Sequence, residues 1–168
     1  MMTPDWSIPR VACSAATCKT CELDSSAHSI YLRGAVECRV TGDAGLGDAE
    51  AGGENEQSLA VPLLYTKPAE ATQYRDHDGI ISHFMAVVDA LHPRKWAWCF
   101  DAQDLRLKHV IDPRTGIKLA QVLSQRYASS IVAIHIIHAN AVVRCALWFV
   151  YPFLSYEVRE KIFVSSGQ

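Results

Sequence analysis

The chain has 168 residues, 49% of them hydrophobic, with 16 Lys and Arg against 18 Asp and Glu for a formal net charge of -2. That is enough apolar sequence for one globular domain with its own core, plus some unstructured sequence. The near-even charge and the lack of a long basic run exclude polyanion recognition over the surface, so nucleic acid is not an expected partner. The first residues, MMTPDWSIPR, have no charged region followed by an apolar one, so no secretory signal is expected and the expected location is the cytoplasm.

In chain order, residues 1–33 read as a poorly ordered leader containing Cys13, Cys18 and Cys21. The Cys18 and Cys21 spacing is half of a zinc site, but no second close pair completes it, so no metal is expected. Cys38, Cys99 and Cys145 sit in apolar text, where a thiol behaves as a small hydrophobe. The domain is expected over 34–165, opening with a strand at 35–40, with 166–168 as a tail. Residues 41–58 form a Gly-rich, acidic insertion without a basic residue, which cannot bury enough surface to order itself. A second strand follows at 59–65.

Asp76 or Asp78 can cap a helix ending at Leu91, since Ile80, Phe84, Val87, Val88 and Leu91 recur at helical spacing and His92-Pro93 stops it. Asp76-His77-Asp78 could contribute to a divalent-ion site only with further ligands on later helices, so it reads as a cap. Over 95–101, Trp96, Trp98 and Phe100 alternate with Ala97 and Cys99, placing bulky residues on one strand face and small ones on the other. The small face suits close helix packing; the aromatic face either fills a core or lines a cavity. Asp112 as cap and Pro113 at the first position start a helix that runs to Tyr127, with Ala120, Leu123 and Tyr127 on one face.

Residues 131–138 predict a central strand covered on both faces. Asn140 then caps a helix over 141–149 that is apolar almost all round and so expected to be buried on most sides. Pro152 ends it, Ser155 caps an amphipathic helix over 156–161, and 162–164 resumes a strand. A membrane span over 131–154 is disfavoured by His135, His138, Asn140 and Arg144, because an Arg at mid-bilayer costs about 2.5–3.5 kcal/mol. The alternation of strands and helices implies an α/β domain with a mostly parallel sheet and right-handed crossovers.

The segment HIIHANAVVRCALWFVYPFLSYEVREKIFV resembles the lipid-exchange segment of the CRAL-TRIO lipid-transfer domains. His138-Ala139-Asn140 stands where that family has Asn-Ala-Pro, Leu147-Trp148 falls on its aromatic-rich helix, Tyr151-Pro152-Phe153-Leu154 matches its Lys-Pro-Phe-Leu element, and Lys161-Ile162 its Lys-Ile strand start. Upstream, WAWCFDAQDLRLKHVIDPRTGIKLAQVLSQRYASSI is similar to the family's strand ending in Asp, its linker and its helix closing with an aromatic residue. The resemblance covers about 34–164, without the family's N-terminal helical bundle or its closing segment after residue 168. It implies an apolar cavity gated by helix 141–149 and a hydrophobic ligand such as a phospholipid, exchanged at a membrane surface without bond chemistry. It further implies Tyr65, Trp98, Phe100, Ile134, Ile136, Trp148, Phe149 and Phe153 as lipid-contacting residues. The basic residues Arg106, Lys108, His109, Arg114 and Lys161 are expected to be mostly solvated, so no phosphoinositide-specific site is expected; the head-group candidate among them is Arg114, because a guanidinium at a helix start suits a phosphate.

No cofactor is expected. No nucleophile elbow, phosphate loop or Cys-His pairing supports an enzyme. The departures at His138, Asn140 and Tyr151 leave a second reading, a protein-interaction module of the same fold with a vestigial pocket and a protein partner.

Overall fold

In a computed structural model of the chain, the described residues are 10–12, 24, 26–41, 56–110 and 112–166. Cys13, Cys18, Cys21 and residues 42–55 of the acidic insertion lie outside them. Strand β1 (Arg10–Ala12) pairs antiparallel with β2 (Ile30–Thr41), which pairs antiparallel with β3 (Glu56–Thr66) in a long hairpin whose register shifts between Arg33 and Ala35. From β3 the sheet turns parallel, through β4 (Trp96–Asp101), β5 (Ile131–Ile137) and β6 (Ile162–Val164). Spatial order equals chain order across the six strands, and three of the five pairings are parallel.

This stepwise order explains where the helices lie. Helix α1 (His77–Leu91) connects β3 to β4. Helices α2 (Leu107–Val110) and α3 (Arg114–Val122) connect β4 to β5. Helices α4 (Ala141–Val150) and α5 (Tyr156–Arg159) connect β5 to β6. Crossovers of one hand that all step the same way across a sheet deliver their helices to the same face. The core reflects this, since Phe84, Val87 and Leu91 of α1, Ala120 of α3, Val143 of α4 and Val158 of α5 cluster with Leu64, Trp98, Ile134 and Ile136. Fully burying such side chains contributes roughly 1.5–3 kcal/mol each, so this layer outweighs surface pairs such as Arg126–Asp89.

The opposite sheet face carries Val61, Leu63, Tyr65, Ala97 and Cys99, with Tyr31, Val36 and Cys38 of the hairpin packed against them. The expectation that the small Ala97/Cys99 face takes a helix is therefore corrected. The helices sit on the aromatic face, and burial pushes the Cys99 thiol up to about 12, as for an inert core thiol. Nor is β5 covered by helices on both sides, since Val132, His135 and Ile137 on its other face are half-buried.

A polar chain organises the edge of this face. The Arg33 guanidinium lies 3.7 Å from the Tyr65 ring centroid, and the Tyr65 hydroxyl donates to Asp101 at 2.5 Å. His138 Nδ1 meets the other Asp101 oxygen at 2.9 Å. Burial alone would raise the Asp101 pKa, but bonds from Tyr65, the Gln103 amide and His138 hold it below the ordinary carboxylate value.

The local punctuation follows the capping rules. Asp76 accepts from the Gly79 amide at 3.1 Å, and a Cβ on Gly79 would lie 2.0 Å from that carboxylate, so the Asp-rich stretch serves as a helix cap. Asn140 caps α4 through the Val143 amide at 3.0 Å, and Ser155 caps α5 through Val158. At α3 the expectation shifts by one: Pro113 occupies the cap position, while Asp112 accepts from the Arg114 amide at 3.0 Å. The last turn of that helix, Leu123–Tyr127, is π-helical.

Four further expectations are corrected. The domain starts before residue 34, because β2 begins at Ile30 and Ala27, His28 and Ser29 are buried. The hairpin strands reach into the 41–58 insertion, to Thr41 on one side and from Glu56 on the other. Helix α4 is not buried on most sides: only Val143 is buried, whereas Trp148 is 73% exposed, because a helix lying on a single sheet layer has only one face to bury. Helix α5 stops at Arg159 rather than 161.

Candidate ligand-binding site

Period-two alternation in β4 and β5 puts Trp98, Phe100, Ile134 and Ile136 on the helix face, where they form the floor of a cavity of about 240 Å³. Ile80 and Phe84 of α1, and Leu119, Ala120 and Leu123 from α3 and its π-turn, make the walls. Val143, Leu147, Phe149 and Val150 of α4 close it from above. Trp96, one step earlier on β4, is fully buried against Phe84 and Tyr127 and serves as core, so the aromatic face is part core and part cavity wall.

The wall helices approach closely. A Cβ built on Gly116 of α3 would lie 2.9 Å from Val150 Cγ2 of α4, so glycine sets the spacing there. The Trp98 ring meets Phe84 at 5.0 Å and Phe100 at 6.0 Å, both edge-to-face, and its indole N–H donates to Thr66 Oγ1 at 3.0 Å.

One end of the cavity is polar. His28 Nε2 lies 3.0 Å from Asp76 Oδ2, and His28 Nδ1 lies 3.2 Å from His83 Nδ1. Burial, with the neighbouring His28, lowers the His83 pKa to about 4. His77 bonds Thr115 Oγ1 at 2.5 Å and Asp112 at 3.1 Å. His109 also lines this end, its pKa lowered by burial and by the adjacent Lys108 and Arg106.

Of the residues named from sequence, Trp98, Phe100, Ile134, Ile136 and Phe149 converge on the cavity. Tyr65 does not, because its odd register along β3 turns it to the opposite face, beneath Arg33. Trp148 and Phe153 point outward with Tyr151 and Tyr156, forming an exposed aromatic strip along α4, the Tyr151–Phe153 turn and α5. Arg114 lies outside the cavity, three-quarters exposed and forked onto Asp112, whose carboxyl it holds well below the usual range. Lys161 is spent on the Ala128 carbonyl and Glu157. Sequence reasoning missed His28 and Thr66: the first lay within the supposed leader, and the second is a lone hydroxyl at a strand end. Among the described residues no cluster of His, Cys, Asp and Glu has the makings of a metal site, and no helix is long and apolar enough to cross a membrane.

A mixed sheet helical on one face, with an apolar cavity between that face and the helices, defines the class as an α/β domain with a sheltered apolar cavity. Comparison with known proteins makes the assignment particular. The family model for the CRAL/TRIO domain matches residues 60–168, well over half of the chain, and the chain belongs to that family. Its general activity is binding of hydrophobic ligands. Among solved structures the fold is similar to that described as the crystal structure of Sfh5, with a TM-score of 0.53 at 9% identity, over 61% of this chain and 42% of that one. The matched part thus spans less than half of that protein. No curated protein sequence matches the chain.

Proposed function

We propose that this chain binds a hydrophobic ligand in the cavity beneath α4 and exchanges it at a membrane surface, with no bond made or broken. The observation that carries the reading is the joint position of α4: one face, with Val143 and Leu147, closes the apolar cavity, and the other presents Trp148, more than two-thirds exposed. Such aromatics are at home at a membrane interface. In this reading α4 is the gate, the Pro152 turn is its rigid end, and α5 sits behind it. The ligand's apolar part, an acyl chain of a phospholipid or similar, lies along Trp98, Phe100, Ile134 and Ile136. The protein works in the cytoplasm, in passing contact with membranes.

Native mass spectrometry of the purified chain tests this, with a co-purifying lipid expected, alongside uptake from labelled liposomes. Apo protein alone together with no uptake overturns it. A second reading, a protein-interaction module with a vestigial pocket, is favoured by one observation: 240 Å³ is below the roughly 300–1,000 Å³ usual for ligand sites. That outcome would show as a stable complex through the aromatic strip and no bound lipid.

A further inference from the structure

Among the described residues the sheet ends at β6, with no strand beyond it. Backbone groups alternate in direction along a strand, and pairing with β5 fixes that alternation here. The Ile134 amide donates to the Lys161 carbonyl at 2.7 Å, and the Ser165 amide to the Ile136 carbonyl at 2.8 Å. Lys161, Phe163 and Ser165 therefore face β5, while the N–H and C=O groups of Ile162 and Val164 face outward. Two such outward positions, one residue apart, are a template for one more strand.

Edge strands are ordinarily guarded by a lysine, a proline, a bulge or a covering element. Ile162-Phe163-Val164 carries no charge and no proline, and its pairing with β5 has no register shift. The adjacent Lys161 is turned onto the Ala128 carbonyl and Glu157, and Ser165 and Ser166 follow without charge. Phe163 is 51% exposed and Val164 43%. Phe163 lies on the helix-free face, stacked on His135 with ring centroids 5.2 Å apart, and that face also carries the half-buried Val132 and Ile137. The open edge thus continues into an apolar surface.

We infer that β6 pairs antiparallel with β6 of a second copy of this chain, about a two-fold axis at Phe163. The edge is self-complementary in that register: Ile162 of each copy lies opposite Val164 of the other, so all the outward N–H and C=O groups are satisfied by two reciprocal pairs. The two Phe163 residues then form the pair without hydrogen bonds, whose Cα atoms are the closer spaced, about 4.5 Å apart, and aromatic pairs there are favourable. Lys161 falls opposite Ser165 and Glu160 opposite Ser166, so no charge meets its like. The axis stands perpendicular to the sheet, which turns both helix layers, and both exposed Trp148 side chains, the same way. So short an edge covers less than the roughly 1,200–2,000 Å² of a stable interface, and the dimer is reversible. The inference goes beyond the ligand reading and does not depend on it.

Sedimentation equilibrium of the full chain tests this, with a monomer–dimer equilibrium expected at about micromolar to 100 micromolar protein. Phe163→Lys and Phe163→Glu each place like charges across the axis and should weaken the dimer at least about tenfold, whereas an equimolar mixture of the two should restore it to within about threefold of wild type. Val164→Pro removes only an outward N–H, leaves the bonds to β5 in place and should also abolish dimerisation. Circular dichroism confirms that the variants are folded, and Val164→Pro carries the test alone if the Phe163 variants are not. Trp148→Ala should leave the dimer unchanged. A wild-type chain that stays monomeric over this range overturns the inference. So does a dimer that survives Val164→Pro, a mixture of the two Phe163 variants that stays monomeric, or a dimer lost on Trp148→Ala instead, which would place the contact on the aromatic strip.

Discussion

Trp98 and Phe149 both line the cavity but stand in opposite relations to solvent, and this gives a test in which stability and ligand retention part company. Trp98 is 7% exposed, is packed edge-to-face on Phe84 and Phe100, and bonds Thr66, so Trp98→Ala removes core as well as wall. Such a truncation costs about 3–5 kcal/mol out of a typical 5–15. At roughly 2–4 °C per kcal/mol for a domain of this size, Tm should fall by about 6–20 °C. Phe149 is 52% exposed, and its loss should cost less than about 1 kcal/mol, a change of a few degrees at most. Yet Phe149 closes the cavity. Losing about 50 Å² of apolar contact with a ligand at about 25 cal/mol per Å² is about 1.2 kcal/mol, or release about eightfold faster. Thermal unfolding by circular dichroism and transfer of a fluorescent lipid to acceptor liposomes measure the two effects. A Phe149→Ala variant that loses as much Tm as Trp98→Ala, or that releases ligand at the wild-type rate, would refute the assignment of α4 as the cavity's closing wall.

Arg114→Ala should leave transfer within about twofold of wild type, because the exposed guanidinium engages Asp112 and not the cavity; loss of transfer would return it to the head-group role. Gly116→Ala should gain about 0.5–1 kcal/mol of helix propensity but lose about 1–3 to crowding against the stiff Val150 side chain, a net destabilisation in urea that Val150→Ala should largely relieve in the double variant. For His83, a folded-state pKa of about 4 against 6.5 unfolded means that the unfolded chain binds the proton first. Stability should therefore be complete above pH 6.5 and decline as pH falls toward 4, by up to about 3 kcal/mol. Urea midpoints across that window should show the decline in wild type and a flatter profile in His83→Gln.

Much of this was legible in the chain because the signals are local. Asp76, Asn140 and Ser155 act as caps, since a side-chain oxygen needs only a backbone amide two or three residues on, and the alternation of Trp96, Trp98 and Phe100 assigns a common face wherever the strand goes. The parallel α/β class followed from the order of elements, and the family was readable in the Pro-Phe-Leu and Lys-Ile elements. Which face receives the helices was not local. It depends on β3 to β6 adding in sequential order, so that every crossover lands on one side. That one fact turns Trp98 and Phe100 toward the cavity and Tyr65 away from it, and it leaves α4, apolar on nearly all sides, with Val143 inside and Trp148 outside. The same holds for the start of the domain. His28 looked like leader because its partners, Asp76 and His83, lie 48 and 55 residues away, and no pattern within a short window carries a contact that only the folded chain brings together.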